Sequence, residues 1–272
     1  MMRKLVAMAV IGAACVGAAG PLRAQDGAAP GDFCEVIRQA RRLVDEAPDQ
    51  SAKLYEDFIK TKADAPEATI ARVLRGIILW RDLANMADAE KEFSLAANAT
   101  ADGRAAGQDL ISTAGATLGK RWQARLRMTR IARACHAYYL DEVAYPENLG
   151  ELVARKLVEP ADVRDPWGQP FAYAATEAKH TKAARQAYSL TSANVEGDAA
   201  KVGELLDRDK TYPRSLSLKG IMIDQPPKVM VGVQNQTHTI ELGQSKGGLQ
   251  AILIQEGRAI ICSHDYVVLL AR

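Results

Sequence analysis

The sequence predicts an α+β protein with a helical N-terminal region, a long helix packed on a small antiparallel sheet, and a small C-terminal β-sandwich or barrel. Three observations carry this. Apolar residues recur at helical spacing over residues 33–118. A long amphipathic stretch over 120–143 runs into Pro- and Gly-bearing turns with short apolar strands. From residue 213 onward, six short alternating segments are separated by turn signals.

The chain has 272 residues, 48% of them hydrophobic and 25% charged. That apolar content excludes a disordered chain. The 20 Gly and 11 Pro follow no period, which excludes a collagen-like or low-complexity one. The formal net charge is +2, but residues 1–24 hold Arg3, Lys4 and Arg23 and no acid, so their removal leaves −1. A near-neutral chain gives no electrostatic case for nucleic acid or an anionic membrane.

Residues 1–24 read as a secretory signal peptide. Met1 to Lys4 is a basic start, an uncharged apolar run follows, and Leu22-Arg23-Ala24 precedes the expected cleavage after Ala24. The run is shorter than the roughly 20 apolar residues that span a bilayer. The alternative is a lipoprotein signal, Gly12-Ala13-Ala14-Cys15, with a lipid anchor on Cys15. Both place the protein in the periplasm or elsewhere in the exported compartment of a bacterial envelope. No later segment reads as a membrane span. Outside the signal the cysteines are Cys34, Cys135 and Cys262, with no Cys-x-x-Cys, so a zinc site is not expected. An oxidising compartment permits a Cys34–Cys135 disulfide; three buried thiols are the other reading.

Residues 25–32 form a short Gly/Ala/Pro linker. Phe33, Ile37, Ala40 and Val44 then lie on one helix face. Ala47-Pro48-Asp49 breaks that helix, and Ser51 is the expected cap of the next, which carries Leu54, Tyr55, Phe58 and Ile59. A third helix carries Ile70, Val73, Leu74 and Ile77, and a fourth runs over 87–97. Leu54-Tyr55, Phe58, Ala65-Pro66-Glu67-Ala68 and Ala71 resemble a tetratricopeptide-like hairpin, of a kind that binds other proteins. A generic helical bundle is the alternative. Residues 103–119, rich in Gly, Ala, Ser and Thr, read as a loose joint.

The long helix, with Met128, Ile131, Cys135 and Tyr138 on one stripe, is expected to end at Tyr145-Pro146. A shorter helix covers 149–157. Asp165-Pro166-Trp167-Gly168-Gln169-Pro170 is a tight turn before a strand at Phe171-Ala172-Tyr173; residues 187–191 form a second strand and Val195-Glu196-Gly197-Asp198 an acidic turn. Trp167 is expected to plug the sheet against the helix.

In this order, Ala137-Tyr138-Tyr139, Tyr145-Pro146, Asp165-Pro166-Trp167-Gly168, Phe171-x-Tyr173, Tyr188-Ser189-Leu190 and Glu196-Gly197 resemble the G-type major pseudopilin of type II secretion, over about residues 121–209. The resemblance implies a long helix on a small antiparallel sheet, partners such as secretin, pseudopilins or platform components, and no enzymatic activity. It also implies a calcium ion after the Tyr-x-Leu strand, for which Glu196, Asp198, Asp207 and Asp209 are the candidate ligands. A solvated acidic loop with no ion is the alternative, and no other cofactor is expected. The chain departs from the family in lacking the apolar helical stem and its prepilin cleavage junction.

Residues 213–272 carry the runs 218–223, 229–233, 237–242, 249–254, 259–262 and 266–270, spaced as in a small sandwich or barrel. Leu218-x-Gly220-Ile221, Pro227-x-Val229, Leu242-Gly243, Leu249-x-Ala251-Ile252 and Val267-x-Leu269 resemble the homology-region domain of periplasmic secretion and pilus-assembly components. His136, His180, His238 and His264 show no metal spacing, Asp141-Glu142 reads as exposed charge, and no nucleophile elbow or phosphate loop is present. The expected function is a non-enzymatic exported interaction component related to type II secretion. The alternative is a periplasmic protein-binding scaffold unrelated to secretion.

Overall fold

A computed structural model describes residues 32–99, 106–177 and 184–272. The signal peptide with Cys15 and Ala24, most of the linker, and His180 lie outside the described residues. Among the described residues, helices and three antiparallel sheets make an α+β protein.

The first four helices are α1 (Phe33–Leu43), α2 (Pro48–Thr61), α3 (Glu67–Arg81) and α4 (Met86–Ala97). Asp32 caps α1 by accepting from Cys34 N at 3.1 Å, with Glu35 in the first turn and Arg41 and Arg42 in the last, each suited to the helix dipole. Asn85 caps α4 through Asp88 N. The expectation that Ser51 caps α2 is corrected. The helix begins three residues earlier, at Pro48, whose missing N–H costs nothing in the first turn. Ser51 is buried inside the helix, its hydroxyl donating to Ala40 O at 2.8 Å.

The long helix α5 (Ala106–Glu142) has 37 residues and starts well before the expected position. The joint expected over 103–119 is helix from Ala106 onward. Its small residues serve close packing: a Cβ on Gly115 would stand 2.3 Å from Thr69 Oγ1, and one on Gly119 2.8 Å from the backbone of Ala97. Helix α5 thus lies against α3 and α4 where larger residues could not.

After α5 come α6 (Leu149–Ala154) and a three-stranded sheet of β1 (Ala172–Thr176), β2 (Ala187–Ser192) and β3 (Val195–Asp198) in consecutive antiparallel order. The acidic turn expected at 195–198 is strand β3 instead. Its Gly197 takes the left-handed φ of +96° that other residues resist. Helix α7 (Val202–Thr211) leads to a second meander, β4 (Leu216–Met222), β5 (Lys228–Val233) and β6 (Gln236–Glu241). A third sheet holds β7 (Ser245–Lys246), β8 (Leu249–Gln255), β9 (Arg258–Cys262) and β10 (Val267–Ala271). All six expected β runs are strands. The two sheets stay open rather than closing into a barrel, and they face each other across Val229, Val231 and Ile240 on one side and Ala251, Ala259, Ile261 and Val268 on the other.

Strand β9 explains how the sandwich joins the helices. Ala259 and Ile261 point into the sandwich core, while Ile260 and Cys262 enter the helical core, following the two-residue period of a strand. Strand β10 repeats this with Val268 and Val267. A sheet covered on both faces needs near-continuous apolar strands, which is how Ala259-Ile260-Ile261-Cys262 reads. In β8 Ile252 faces the helices by the same alternation, and a register shift between Ala251 and Leu253 brings Leu253 to that side too, with Ile254 back at the sandwich core.

The helical core gathers α1 to α4, the first half of α5, Val202 and Leu206 of α7, and the helix-facing side of the third sheet. A second core packs Ala124, Met128, Ile131, Cys135 and Tyr138 of α5 against Leu152, Phe171, Leu190 and Val195. One continuous helix therefore serves both cores. Trp122 stands at the crossing, fully buried, edge-on to Trp80 at 6.3 Å and stacked with Phe93 at 6.3 Å between ring centroids.

Candidate functional site

The Asp165 turn is the organising feature of the second core. Asp165 is 3% exposed, and its carboxylate accepts four hydrogen bonds: from Trp167 N at 3.0 Å, Gln169 N at 2.9 Å, Ser192 Oγ at 3.2 Å and Asn194 Nδ2 at 2.7 Å. A buried carboxylate without such donors would be costly. Gly168 N donates to Asp165 O at 2.9 Å, and Gly168 sits at φ +85°, a conformation open to glycine. Pro166 occupies the position where a fixed φ favours the turn. Trp167 is half-buried against the second core, with Lys120 Nζ 6.0 Å from its ring centroid.

The Tyr-Pro stretch closes the other end. Tyr145 packs between Tyr139 and Tyr188, each at 4.7 Å between centroids, and Tyr188 lies 5.8 Å from Tyr173. The Tyr173 hydroxyl donates to Pro146 O at 2.8 Å. The residues that carry the sequence resemblance, Tyr145, Pro146, Asp165, Pro166, Trp167, Gly168 and Tyr173, thus tie the end of α5 and the turn before β1 to the three-stranded sheet.

The four candidate calcium ligands are not gathered. Among the described residues no cluster of three or more His, Cys, Asp or Glu side chains is arranged to hold a metal ion. Asp198 caps the turn after β3 by accepting from Ala200 N at 3.0 Å, and it also accepts from Leu190 N. Asp209, on α7, pairs with Arg81 at 3.1 Å. Asp207 and Glu196 are exposed.

Of the two readings of the cysteines, a permitted Cys34–Cys135 bridge or three buried thiols, the structure has the second. All three described cysteines are free and buried, with Cys34 in the helical core and Cys135 in the second core, so packing separates the two sulfurs. Burial pushes Cys34 up to about 11, and Cys135 and Cys262 up to about 12. These are neutral thiols, unsuited to nucleophilic work. His136 is exposed, His238 lies on β6, and His264 Nδ1 sits 2.8 Å from Asp265 Oδ1. Glu142 pairs with Arg155 at the surface.

Two polar assemblies lie at places the sequence does not single out. In the first, Arg125 is 1% exposed, reaches Asp265 Oδ1 at 2.6 Å and stacks on Trp122 at 4.9 Å, while Trp122 Nε1 donates to Asp265 O at 3.0 Å. The second is a cavity of about 200 Å³ bounded by α1, α2, α3, α7 and the turn Tyr212–Ser215. Arg41, Tyr55, Arg81, Asp209, Lys210 and Arg214 supply its polar wall. Only pairing across 140 residues, or assembly of four helices, brings these groups together, so no local spacing announces either.

Comparison of the chain with protein-family models, curated proteins and solved structures finds no match.

Proposed function

We propose that this chain is an exported, non-enzymatic interaction protein of the bacterial cell envelope, related to type II secretion. In this reading, a pseudopilin-like globule is carried by a helical and β scaffold instead of a membrane stem. The observation that carries it is the second core, where the last half of α5 packs on β1, β2 and β3 and the Asp165 turn pins the sheet. Those are the elements the sequence resemblance implies, at the residues that bear it. Leu140 and Val143 add exposed apolar surface at the end of α5, 69% and 67% accessible. In the same reading the tetratricopeptide-like helices and the homology-region-like strands contribute docking surfaces for secretin, pseudopilins or platform components. The signal peptide, or a lipid anchor on Cys15, delivers the chain to the periplasm. Among the described residues no helix is long and apolar enough to cross a membrane.

A second reading, a periplasmic protein-binding scaffold unrelated to secretion, is favoured by one observation. Ile111, Ala114 and Leu118, in the half of α5 where a pseudopilin would continue as its stem, are buried in the helical core. Affinity capture of the tagged chain from crosslinked envelopes tests both. Recovery of secretin, pseudopilin or platform components supports the first reading. Recovery of other periplasmic proteins alone overturns it in favour of the second.

A further inference from the structure

A second cavity, of about 290 Å³, lies between the first half of α5, the β7–β8 hairpin and the turn from β9 to β10. Leu110, Ala114, Leu118 and Arg121 sit three or four residues apart on one face of α5, so at 1.5 Å per residue the cavity follows the helix for about 16 Å. Its two ends differ. Leu110, Ala114 and Leu118 make one end apolar, and Arg121 and His264 close the other. Among the described residues no carboxylate lines it. Arg121 is the charge left over there. Its Nη1 donates to His264 O and its Nε is closed off in the interior, but Nη2 reaches the surface with no partner among the described residues. Two guanidinium groups, Arg121 and Arg125, face the single carboxylate of Asp265, and Arg125 takes it at 2.6 Å. Glu196, the other carboxylate acting on Arg121, lies outside ion-pairing range. Partial burial pulls the Arg121 pKa below its ordinary value, because desolvation outweighs the attraction of Asp265, yet a guanidinium stays charged at any physiological pH. His264 Nδ1 is held by Asp265, so Nε2 is the free nitrogen of that ring. Thr113 and Ser245 add exposed hydroxyls along the rim.

A partly desolvated guanidinium with an accessible, unpaired Nη2 gains from an anionic acceptor, since charge-assisted hydrogen bonds to carboxylates are stronger than neutral ones. The apolar wall beside it gains from aliphatic surface. At about 30 Å³ for each water-sized volume, the cavity admits about ten non-hydrogen atoms. We infer that this cavity is a binding site for a short aliphatic monocarboxylate. The carboxylate accepts from Arg121 Nη2 beside the His264 ring, and the alkyl chain runs along α5 over Leu118 and Ala114 towards Leu110. This inference does not rest on the envelope reading above.

Calorimetric titration of the purified chain with hexanoate, acetate and hexanamide tests it. Hexanoate is expected to bind with a Kd in the millimolar range or tighter. Acetate should bind about ten-fold more weakly because it leaves the apolar wall bare, and hexanamide about ten-fold more weakly because it lacks the charge. Arg121→Gln should weaken hexanoate about ten-fold and leave hexanamide unchanged, while Arg121→Lys should keep most of the affinity. Thr113→Trp, at an exposed position on the rim, should block hexanoate by filling the mouth. Should Arg121→Gln fail to fold, Thr113→Trp and the hexanamide comparison decide. Absence of heat for hexanoate at tens of millimolar overturns the inference. So does equal binding of hexanamide or acetate, or hexanoate binding that is indifferent to both Arg121→Gln and Thr113→Trp.

Discussion

Asn194 donates its side-chain amide to Asp165 Oδ2 at 2.7 Å, joining the turn before β1 to the tip of the β2–β3 hairpin. The contact spans the two segments on which the sequence resemblance depends, and it works with three further donors on the same carboxylate.

Replacement of Asp165 by Ala removes the acceptor for all four donors, two of them backbone N–H groups in a tight turn. A loss of about 3 kcal/mol is expected from denaturant unfolding, with Asp165→Asn intermediate and Asn194→Ala near 1 kcal/mol. If Asp165→Ala unfolds like the parent chain, the turn does not hold the sheet.

The buried Arg125–Asp265 pair predicts a non-additive result. Asp265→Ala leaves a guanidinium uncompensated in the interior and should cost about 3–5 kcal/mol. Adding Arg125→Met removes the stranded charge, so the double variant should be more stable than Asp265→Ala alone. A double-mutant cycle checks the sign.

Three helical glycines should respond in opposite directions. Gly115→Ala and Gly119→Ala drive a methyl into Thr69 and into the backbone of α4, and each should destabilise by about 1–3 kcal/mol. Gly203, on α7, has open space around it, so Gly203→Ala should stabilise by about 0.5–1 kcal/mol. Thermal melts of the three variants separate close packing from helix propensity.

The thiols predict both reactivity and alkaline stability. Native protein should resist alkylation, and unfolded protein should accept one label each at Cys34, Cys135 and Cys262. A mass consistent with a Cys34–Cys135 disulfide would contradict the packing. Burial raises Cys34 from 9.0 to about 11. The stability from its neutral form is complete below pH 9 and declines as pH rises towards 11, because the unfolded chain ionises first. On the acid side, Lys210 holds the Asp45 carboxyl, and Lys60 with Arg75 the Glu56 carboxyl, below their ordinary 3.8 and 4.5. Their contribution is present above those values and is lost as pH falls below them; exposure to solvent keeps it small and salt-sensitive.

The strands were legible because β-runs such as Ala259-Ile260-Ile261-Cys262 lie between turn signals, here Glu256-Gly257 and Ser263-His264-Asp265, and the Asp165 turn was legible because only a few residues suit each of its positions. The extent of α5 was not. Gly115 and Gly119 lower helix propensity, and the contacts with Thr69 and Ala97 that make them useful are long-range. Ser51 is a good cap residue by type, but Pro48 begins the helix and the Ser51 hydroxyl bonds to α1, a long-range contact that local pattern does not show. Asp198 and Asp209 are candidate calcium ligands only through the family resemblance, and in the fold one caps a turn and the other pairs with Arg81. The cavity between α1, α2, α3 and α7 was invisible to local pattern, since its lining comes from four separate helices and Tyr55 read only as part of one helix's apolar face.

Site-specific photocrosslinking in intact envelopes from Leu140, 69% exposed at the end of α5, asks whether the chain presents a pseudopilin-like globule to the secretion machinery. A crosslink to a secretin, pseudopilin or platform component is expected, and it should disappear when Asp165→Ala loosens the globule. Crosslinks only to proteins outside the secretion machinery, or none at all, would contradict it.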